Sequence, residues 1–240
     1  MIVIATAGKT FIKENFKYIS KFNSHEKICI VDNLNKGNDY IESIKREYPD
    51  MDIKLINSKE NLREWGSWWA AYNKYPNEEQ YCFIHDSMYL KKPIKNITTN
   101  DKDSVYCFSV RRGWVNSAHK KSEFMKNFSK TYSIPIEGGN AFFLIFGCMF
   151  VASNQVMKKI HSKGIMKTYA KTRSEACTSE RALGHVFKNL GIKINFFSDK
   201  SPSGKNSKGT AKLSNFVVTE NELYIKIRSG RNYKQNKGGK

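Results

Sequence analysis

Long apolar runs and cysteine pairs with the spacing of metal ligands are both missing from this 240-residue sequence. A membrane-spanning helix needs about 18 or more apolar residues in a row, and no stretch approaches that length. The five cysteines are scattered, no two have the spacing of zinc ligands, and four lie in apolar, strand-like runs. We therefore expect a soluble protein without a transmembrane segment, in the reducing environment of the cytoplasm.

A signal peptide is also missing from the amino terminus as we interpret it. Residues 1–7 are apolar, but no basic leader precedes them, the run is too short, and no cleavage pattern follows. We predict that this run is the first β-strand.

Acidic residues are few compared with basic ones. The sequence has 41 lysines and arginines against 22 aspartates and glutamates, which gives a formal net charge of +19. This excess suggests an anionic partner, and nucleic acid, a membrane surface or a phosphate-bearing substrate such as a nucleotide sugar would all qualify. A lysine- and asparagine-rich composition inherited from an AT-biased genome is an equally good explanation.

Strand-like runs alternate with amphipathic stretches through the first part of the chain. This alternation predicts an α/β fold in one domain, with a mixed, mostly parallel sheet flanked by helices. Ligands of such sheets bind beyond the carboxyl ends of the strands, so the residues just after each strand are the candidates for function. The predicted strands are 1–7, 27–32, 52–57 and 81–84, and the predicted helices are 10–22, 39–48 and 65–75.

The second part of the chain is less regular, and we find no internal repeat. Its predicted elements are strands at 105–111, 146–152 and 193–197, helices at 154–163 and 179–190, and a hairpin over 216–227.

The triplet Gly8-Lys9-Thr10 follows the first predicted strand and suggests a phosphate-binding P-loop. The spacing argues against this motif, because the leading glycine of a P-loop would fall at Val3, inside the strand, and a P-loop phosphotransferase stays only a minor alternative. Asp32 and Asn33 end the second strand, where a carboxylate can accept hydrogen bonds from a ribose or a base edge. The alternative is an ordinary turn, which Asp and Asn favour.

The densest stretch of aromatic and charged residues is 61–69, with the sequence NLREWGSWW. Its tryptophans are spaced so that several share one helix face, and we assign them to the core. Arg63 and Glu64 differ, because at a helix start facing the sheet edge Arg63 can bind a phosphate. Glu64 can accept a hydrogen bond from a sugar hydroxyl or hold Arg63 in place.

The order of these features resembles the GT-A glycosyltransferases, in particular family-2-like enzymes of large DNA viruses and bacterial polysaccharide pathways. The matching features are a strand followed by Asp32-Asn33, the segment 61–66, and a strand that ends in His85-Asp86-Ser87. The resemblance covers residues 1–93 and implies a GT-A, Rossmann-like fold. It also implies a transferase that moves a sugar from a nucleoside diphosphate sugar to an acceptor hydroxyl, with inversion.

The resemblance divides the chain into a domain over 1–227 and a basic tail over 228–240. Residues 1–93 would bind the nucleotide sugar and 94–227 would hold a glycan, lipid or protein acceptor. The implied nucleotide-sugar residues are Ala5, Thr6, Asp32, Asn33, Asn61, Arg63, Glu64, Gly66 and His85.

A divalent metal is the cofactor that the resemblance implies. In GT-A enzymes the fourth strand usually ends in an Asp-x-Asp motif, whose metal bridges the two phosphates. This chain has only His85-Asp86-Ser87-Met88, so the second carboxylate is missing. Asp86 is still one candidate catalytic residue and the candidate ligand for Mn²⁺ or Mg²⁺, with His85 assisting. A turn residue at a strand end is the alternative for Asp86.

The resemblance continues more weakly downstream. Gly147 and Cys148, before an apolar strand, resemble the segment that frames the acceptor site. Glu180 precedes or begins the predicted helix 179–190, as the acceptor-side acid does in family-2 enzymes, which implies that Glu180 is the catalytic base and Glu175 the second candidate. The alternative is an acid that stabilises the helix amino terminus through the helix dipole.

Three further features carry alternatives. Trp114 can stack on a sugar of the acceptor or lie in the core. Lys205 and Lys208 lie in a Gly-, Ser- and Lys-rich loop over 199–212, which suits either a lid that neutralises the leaving diphosphate or a disordered linker. The basic tail can contact anionic membrane lipids or simply be solvated.

Two other classes of function compete with a glycosyltransferase. The net charge suits a nucleic-acid-binding protein, although the basic residues are spread along the chain and no recognition motif is evident. The missing second aspartate suits a glycosyltransferase fold that binds but does not catalyse.

Overall fold

The chain forms a central sheet with helices on both faces and a smaller sheet built by its carboxyl-terminal segment. The strands of the computed structural model are β1 Ile2–Thr6, β2 Ile28–Asp32, β3 Ile53–Asn57, β4 Gln80–His85, β5 Met88–Leu90, β6 Ser104–Cys107, β7 Val110–Arg112, β8 Phe143–Ile145, β9 Phe150–Ser153, β10 Lys193–Phe196, β11 Ala211–Leu213, β12 Phe216–Glu220 and β13 Tyr224–Ser229. The α-helices are α1 Ile12–Phe22, α2 Asp39–Glu47, α3 Arg63–Lys74, α4 Glu123–Tyr132, α5 Asn154–Ser162 and α6 Arg173–Asn189. The structure describes residues 1–6, 11–33, 39–95, 97, 101–108, 110–112, 122–136, 143–197, 211–213, 216–220 and 223–229.

The central sheet has seven strands in the order β10-β6-β9-β4-β1-β2-β3. Strands β3, β2, β1 and β4 pair in parallel, as do β6 and β10, whereas β9 is antiparallel to both of its neighbours. The predicted α/β, mostly parallel, single-domain fold is therefore confirmed. The carboxyl ends of β1 to β4 meet at one edge of this sheet.

Strands β1 and β2 are buried along their whole length, because helices cover both faces of the sheet. Val3 and Ala5 face a core that includes Trp65 and Trp68 of α3. Ile2 and Ile4 face the opposite core, whose helical residues come from α1 and α2. Burying an aliphatic side chain of this size contributes about 1.5–3 kcal/mol, so continuous apolar strands hold the sheet between its two helical layers.

The elements of the first part of the chain lie within two residues of their predicted ends. Two strand predictions in the second part were wrong in detail. Residues 105–111 are not one strand, because β6 belongs to the central sheet and β7 pairs with β8 in a separate two-stranded sheet. Residues 146–152 begin with a 3-10 turn over Phe146–Cys148 before β9.

Helix α6 begins at Arg173, six residues before the predicted start at 179. Thr172 and Glu175 form a capping box, in which the Thr172 side chain accepts from the Glu175 backbone N–H and the Glu175 side chain accepts from the Thr172 backbone N–H. Glu180 is therefore in the body of the helix, so the alternative that it stabilises a helix amino terminus is wrong.

The carboxyl-terminal hairpin predicted over 216–227 is confirmed as β12 and β13. Strand β13 continues to Ser229, two residues into the segment assigned to the basic tail, and residues 230–240 lie outside the described part. This hairpin pairs through β13 with β5, which follows directly after the end of β4.

All five cysteines are free thiols, and only Cys177 is exposed. Among the helices described, none is long and apolar enough to cross a membrane.

Candidate active site

Side chains from three neighbouring strands meet at the carboxyl edge of the central sheet. Thr6 is the register partner of Asp32, and its hydroxyl donates to Oδ2 of Asp86 at 2.8 Å. The hydroxyl of Tyr40, from α2, lies close to both aspartates, and its pKa is raised by burial and by their negative charge. We call Thr6, Asp32 and Asp86 the strand-end array.

A buried asparagine fixes the turn that carries Asp86. The side-chain amide of Asn15, in α1, donates to the backbone carbonyl oxygens of Asp86 at 2.9 Å and Met88 at 2.8 Å. The backbone N–H of Asp86 also donates to the carbonyl of Ala5 at 3.2 Å. This side-chain bridge was not predicted, because a lone asparagine in an amphipathic helix has no distinctive sequence pattern.

Asn33 and Asn61 support the first turn of α3. Oδ1 of Asn33 accepts from the backbone N–H of Leu62 at 3.2 Å, and its side-chain amide contacts Oγ of Ser67 at 3.0 Å. Oδ1 of Asn61 accepts from the backbone N–H of Arg63 at 3.1 Å. Both residues were predicted to bind the nucleotide sugar, and here they hold the helix that carries Arg63 at the sheet edge.

Arg63 has a φ of +52°, which is uncommon for a residue other than glycine. Its Nε–H is buried and makes no hydrogen bond within the described part of the chain. Gly66, one turn later, is explained by packing, because a Cβ there would lie 2.8 Å from Cβ of Leu62 and 3.0 Å from Cγ of Tyr169.

Four further residues form a second group, which we call the carboxylate cluster: Glu64, His85, Gly147 and Glu180. The backbone N–H of Gly147 donates to Oε1 of Glu180 at 2.7 Å. Nε2 of His85 lies 2.9 Å from the carbonyl oxygen of Gly147 and 3.6 Å from Oε1 of Glu64. Residues predicted separately for the nucleotide sugar, the acceptor and catalysis thus lie together.

The turn at Gly147 and Cys148 presents its backbone to the cluster. Both residues have left-handed φ angles, +61° and +50°. The indole N–H of Trp65 donates to Sγ of Cys148 at 3.0 Å, and the indole N–H of Trp68 donates to the carbonyl oxygen of Cys148 at 3.1 Å. The tryptophans assigned to the core therefore also hold this turn, and Cys148 is buried rather than open to an acceptor.

The cluster shifts the protonation of its members. Burial raises the pKa of Glu180 to about 7, with a further rise from the charge of Glu64 and an opposing effect of the Gly147 N–H. Burial also raises the pKa of Glu64. Burial and the nearby Lys226 ammonium lower the pKa of His85 well below its usual value. At neutral pH, Glu180 therefore exchanges readily between carboxylate and carboxylic acid, while His85 is neutral.

The contacts of His85 also define its tautomer. The carbonyl of Gly147 can only accept, so Nε2 of the neutral ring carries the proton and donates to it. Nδ1 is then an acceptor, and the Lys226 ammonium lies 3.3 Å from it. Lys226 also donates to Oγ of Ser87 at 2.9 Å. We did not predict Lys226, because its position depends on the pairing of β13 with β5.

Glu175, the second candidate for the catalytic base, does not join these groups. Oε2 of Glu175 accepts from the backbone N–H groups of Lys171 at 2.6 Å and Thr172 at 3.1 Å. Glu175 therefore caps the amino terminus of α6. Trp114, Lys205 and Lys208 lie outside the described residues.

The residues at the end of β4 do not fit a divalent metal ion. Mg²⁺ and similar hard cations prefer several oxygen ligands around one site. Within the described segments, no group of three His, Cys, Asp or Glu side chains could hold a metal ion. Asp86 is the one carboxylate of its turn, and both ring nitrogens of His85 are occupied by Gly147 and Lys226.

Comparisons with known proteins give no match at the level of sequence families. No family model matches the chain, and no curated protein matches it. Solved structures do match in fold. The chain is similar to S. aureus TarS 1-349 in complex with UDP, at 14% identity and a TM-score of 0.50, over 83% of this chain and 58% of that one.

Two further structures are similar at a TM-score of 0.51. GalNAc-T7 with UDP, GalNAc and Mn²⁺ is 9% identical over 81% of this chain and 41% of that one. The mannosyltransferase PcManGT from Pyrobaculum calidifontis, with GDP-Man and Mn²⁺, is 10% identical over 85% of this chain and 57% of that one. The chain thus spans between 41% and 58% of the length of these structures. At such identities the similarity establishes the fold alone.

Proposed function

We propose that this chain, which has the fold of the GT-A glycosyltransferases, transfers a sugar from a nucleoside diphosphate sugar to an acceptor hydroxyl. The observation that carries the proposal is Glu180, a partly buried carboxylate with a pKa of about 7 beside the ligand-binding edge of the sheet. A general base works best when its pKa lies near the working pH. The UDP and GDP-Man bound in the similar structures support a nucleotide sugar as the donor.

The amino-terminal half would bind the nucleotide. Asp32 lies at the end of β2, where its carboxylate can accept from a ribose or a base edge. Arg63 lies at the start of α3, where its guanidinium can bind a phosphate. The buried Nε–H of Arg63, which makes no hydrogen bond within the described chain, is consistent with a ligand that completes its contacts.

Glu180 would act on the acceptor. Its carboxylate takes the proton of the acceptor hydroxyl while the acceptor oxygen attacks the anomeric carbon. The bond from that carbon to the phosphate oxygen breaks at the same time, and the nucleoside diphosphate leaves with the electron pair. Direct displacement of this kind inverts the anomeric configuration. The Gly147 N–H fixes one oxygen of the base at 2.7 Å, which limits its reorientation.

The test is nucleotide release from a panel of UDP- and GDP-sugars, with water and simple sugars as acceptors and with CMP-sugars, which carry a single phosphate, as a comparison. We expect Glu180→Gln to lower turnover by about 10²- to 10⁴-fold, because general base catalysis contributes that much. In the wild type, kcat/KM should rise with pH through about 7, since the base must be ionised.

Glu175→Gln, assayed in parallel, decides between the two predicted bases. We expect it to retain turnover, because Glu175 caps α6 and glutamine can also accept in a capping box. Loss of turnover in Glu175→Gln with full turnover in Glu180→Gln would reverse the assignment. A product with retained anomeric configuration would contradict inversion.

Two results would reject the enzyme altogether. Binding of a nucleoside diphosphate without release from any sugar conjugate would favour the binding module. Binding to duplex DNA with a steep dependence on salt, and to no nucleotide sugar, would favour the nucleic-acid-binding protein.

A further inference from the structure

We infer that Lys226 is the cation that binds the diphosphate of the nucleotide sugar, in place of a divalent metal ion. This inference rests on the proposed function. The carboxyl-terminal hairpin brings Lys226 to the sheet edge, because β13 pairs with β5 and places Lys226 opposite Met88. Its ammonium lies 2.9 Å from Oγ of Ser87 and 3.3 Å from Nδ1 of His85. The ammonium thus lies against the turn that follows β4.

The same turn is poorly suited to a metal. Asp86 is its one carboxylate, and Oδ2 of Asp86 already accepts from Thr6. The lone pair of Nδ1 in His85, the atom that would bind a metal, faces Lys226 instead. A second cation placed beside this ammonium would be repelled by it, since like charges in close contact repel strongly near a protein surface. The positive charge needed at this turn is supplied by the chain itself.

An ammonium is chemically suited to the diphosphate. It is a compact point charge with three N–H donors, and lysine is a common phosphate ligand in proteins. A diphosphate placed at the end of β4 without a cation would meet Asp86 and the two carboxylates of the carboxylate cluster. Lys226 opposes this repulsion, and its contacts with Ser87 and His85 orient it before the ligand arrives. A cation oriented in advance stabilises the charge that develops on the leaving diphosphate.

The experiment measures the affinity of the full chain for UDP, GDP, UMP and GMP by calorimetric titration, once with EDTA and once with Mn²⁺. We expect the wild type to bind one of the two nucleoside diphosphates, UDP or GDP, in EDTA. Mn²⁺ should raise this affinity by less than threefold. Lys226→Met should lower the affinity for that diphosphate by about 10- to 100-fold, the usual effect of losing a charge-assisted hydrogen bond. The affinity for the monophosphate of the same nucleoside should fall by less than threefold, because the monophosphate lacks the second phosphate.

Lys17→Met is the matched control. It removes one positive charge from an exposed site on α1, where Lys17 pairs only with the neighbouring Glu14 among the contacts described. We expect unchanged affinity for every nucleotide. Lys226→Arg should retain most of the diphosphate affinity, because it keeps the charge.

Three outcomes overturn the inference, and they are distinguishable. Diphosphate binding that requires Mn²⁺ and disappears in EDTA makes a metal the cation, and this wild-type measurement needs no variant to fold. Equal weakening of monophosphate and diphosphate in Lys226→Met reduces Lys226 to a structural role. Absence of binding by the wild type to any of the four nucleotides rejects the proposed function and this inference with it.

Discussion

The strand-end array and the carboxylate cluster meet at His85 and Asp86, but the chain builds them in different ways. Thr6, Asp32 and Asp86 are the last residues of parallel strands or follow directly after them. The cluster joins four segments, from α3, β4, the turn before β9 and α6. The backbone of Gly147 contacts His85 and Glu180, and Glu64 joins through His85. The array therefore follows from the sheet, whereas the cluster depends on one unusual turn.

The largest structural effect is expected at that turn. Gly147→Ala should destabilise the fold by about 2–4 kcal/mol, because alanine is strained at a φ of +61° and its Cβ would lie 2.9 Å from Cε1 of His85. Gly191→Ala is the matched control, since Gly191 has a φ of +64° and no atom within 4 Å of an added Cβ. It should cost only about 1–2 kcal/mol.

Urea unfolding of both variants measures the difference. The extra cost of Gly147→Ala over Gly191→Ala reports the close approach to His85, and turnover should fall only in Gly147→Ala. Equal costs in the two variants would mean that the turn yields easily, and the cluster would then be less dependent on it than the structure indicates.

This contrast also explains what the sequence could predict. The apolar runs at residues 2–6 and 28–32 are buried on both faces, so their alternation with amphipathic helices was sufficient to predict the sheet and the position of Asp32 and Asp86. The GT-A resemblance, carried by residues 1–93, predicted a fold that is confirmed. Periodic patterns are local, and these features are local too.

The cluster depends on interactions that local patterns do not encode. No sequence pattern indicates that Cys148, which is not a glycine, adopts a left-handed φ. The two indole hydrogen bonds that hold it come from α3, which is distant in the sequence. Lys226 depends on the pairing of β13 with β5, across more than half of the chain. The start of α6 was available in principle, because Thr172 and Glu175 carry the capping-box pattern three residues apart.

A pH dependence should distinguish the cluster further. The folded pKa of Glu180, about 7, lies above its ordinary value of 4.5, so the folded state binds this proton more tightly than the unfolded state. The resulting stability is present below pH 4.5 and is lost as the pH rises through about 7. Glu180→Gln carries no such charge, so it should gain roughly 1–2 kcal/mol over the wild type between pH 5 and pH 8, allowing for partial solvation.

Urea unfolding at both pH values checks this expectation. Gly191→Ala changes no titratable group, and its stability should stay parallel to that of the wild type. A constant difference between Glu180→Gln and the wild type across this range would show that Glu180 titrates normally, and it would remove the main support for its role as a base.

The smallest effect is a coupling free energy expected between two residues of the strand-end array. Thr6 is buried, and valine has nearly its shape without the hydroxyl that donates to Asp86 at 2.8 Å. Thr6→Val should cost about 1–2 kcal/mol, as a charged acceptor loses its donor. A double-mutant cycle with Asp86→Ala, which removes the acceptor, isolates this contact, and we expect a coupling of about 1 kcal/mol. Parallel pairing already fixes where β1 and β4 end. A coupling near zero would therefore mean that the strand register alone positions Thr6 and Asp86, and that their hydrogen bond contributes nothing further.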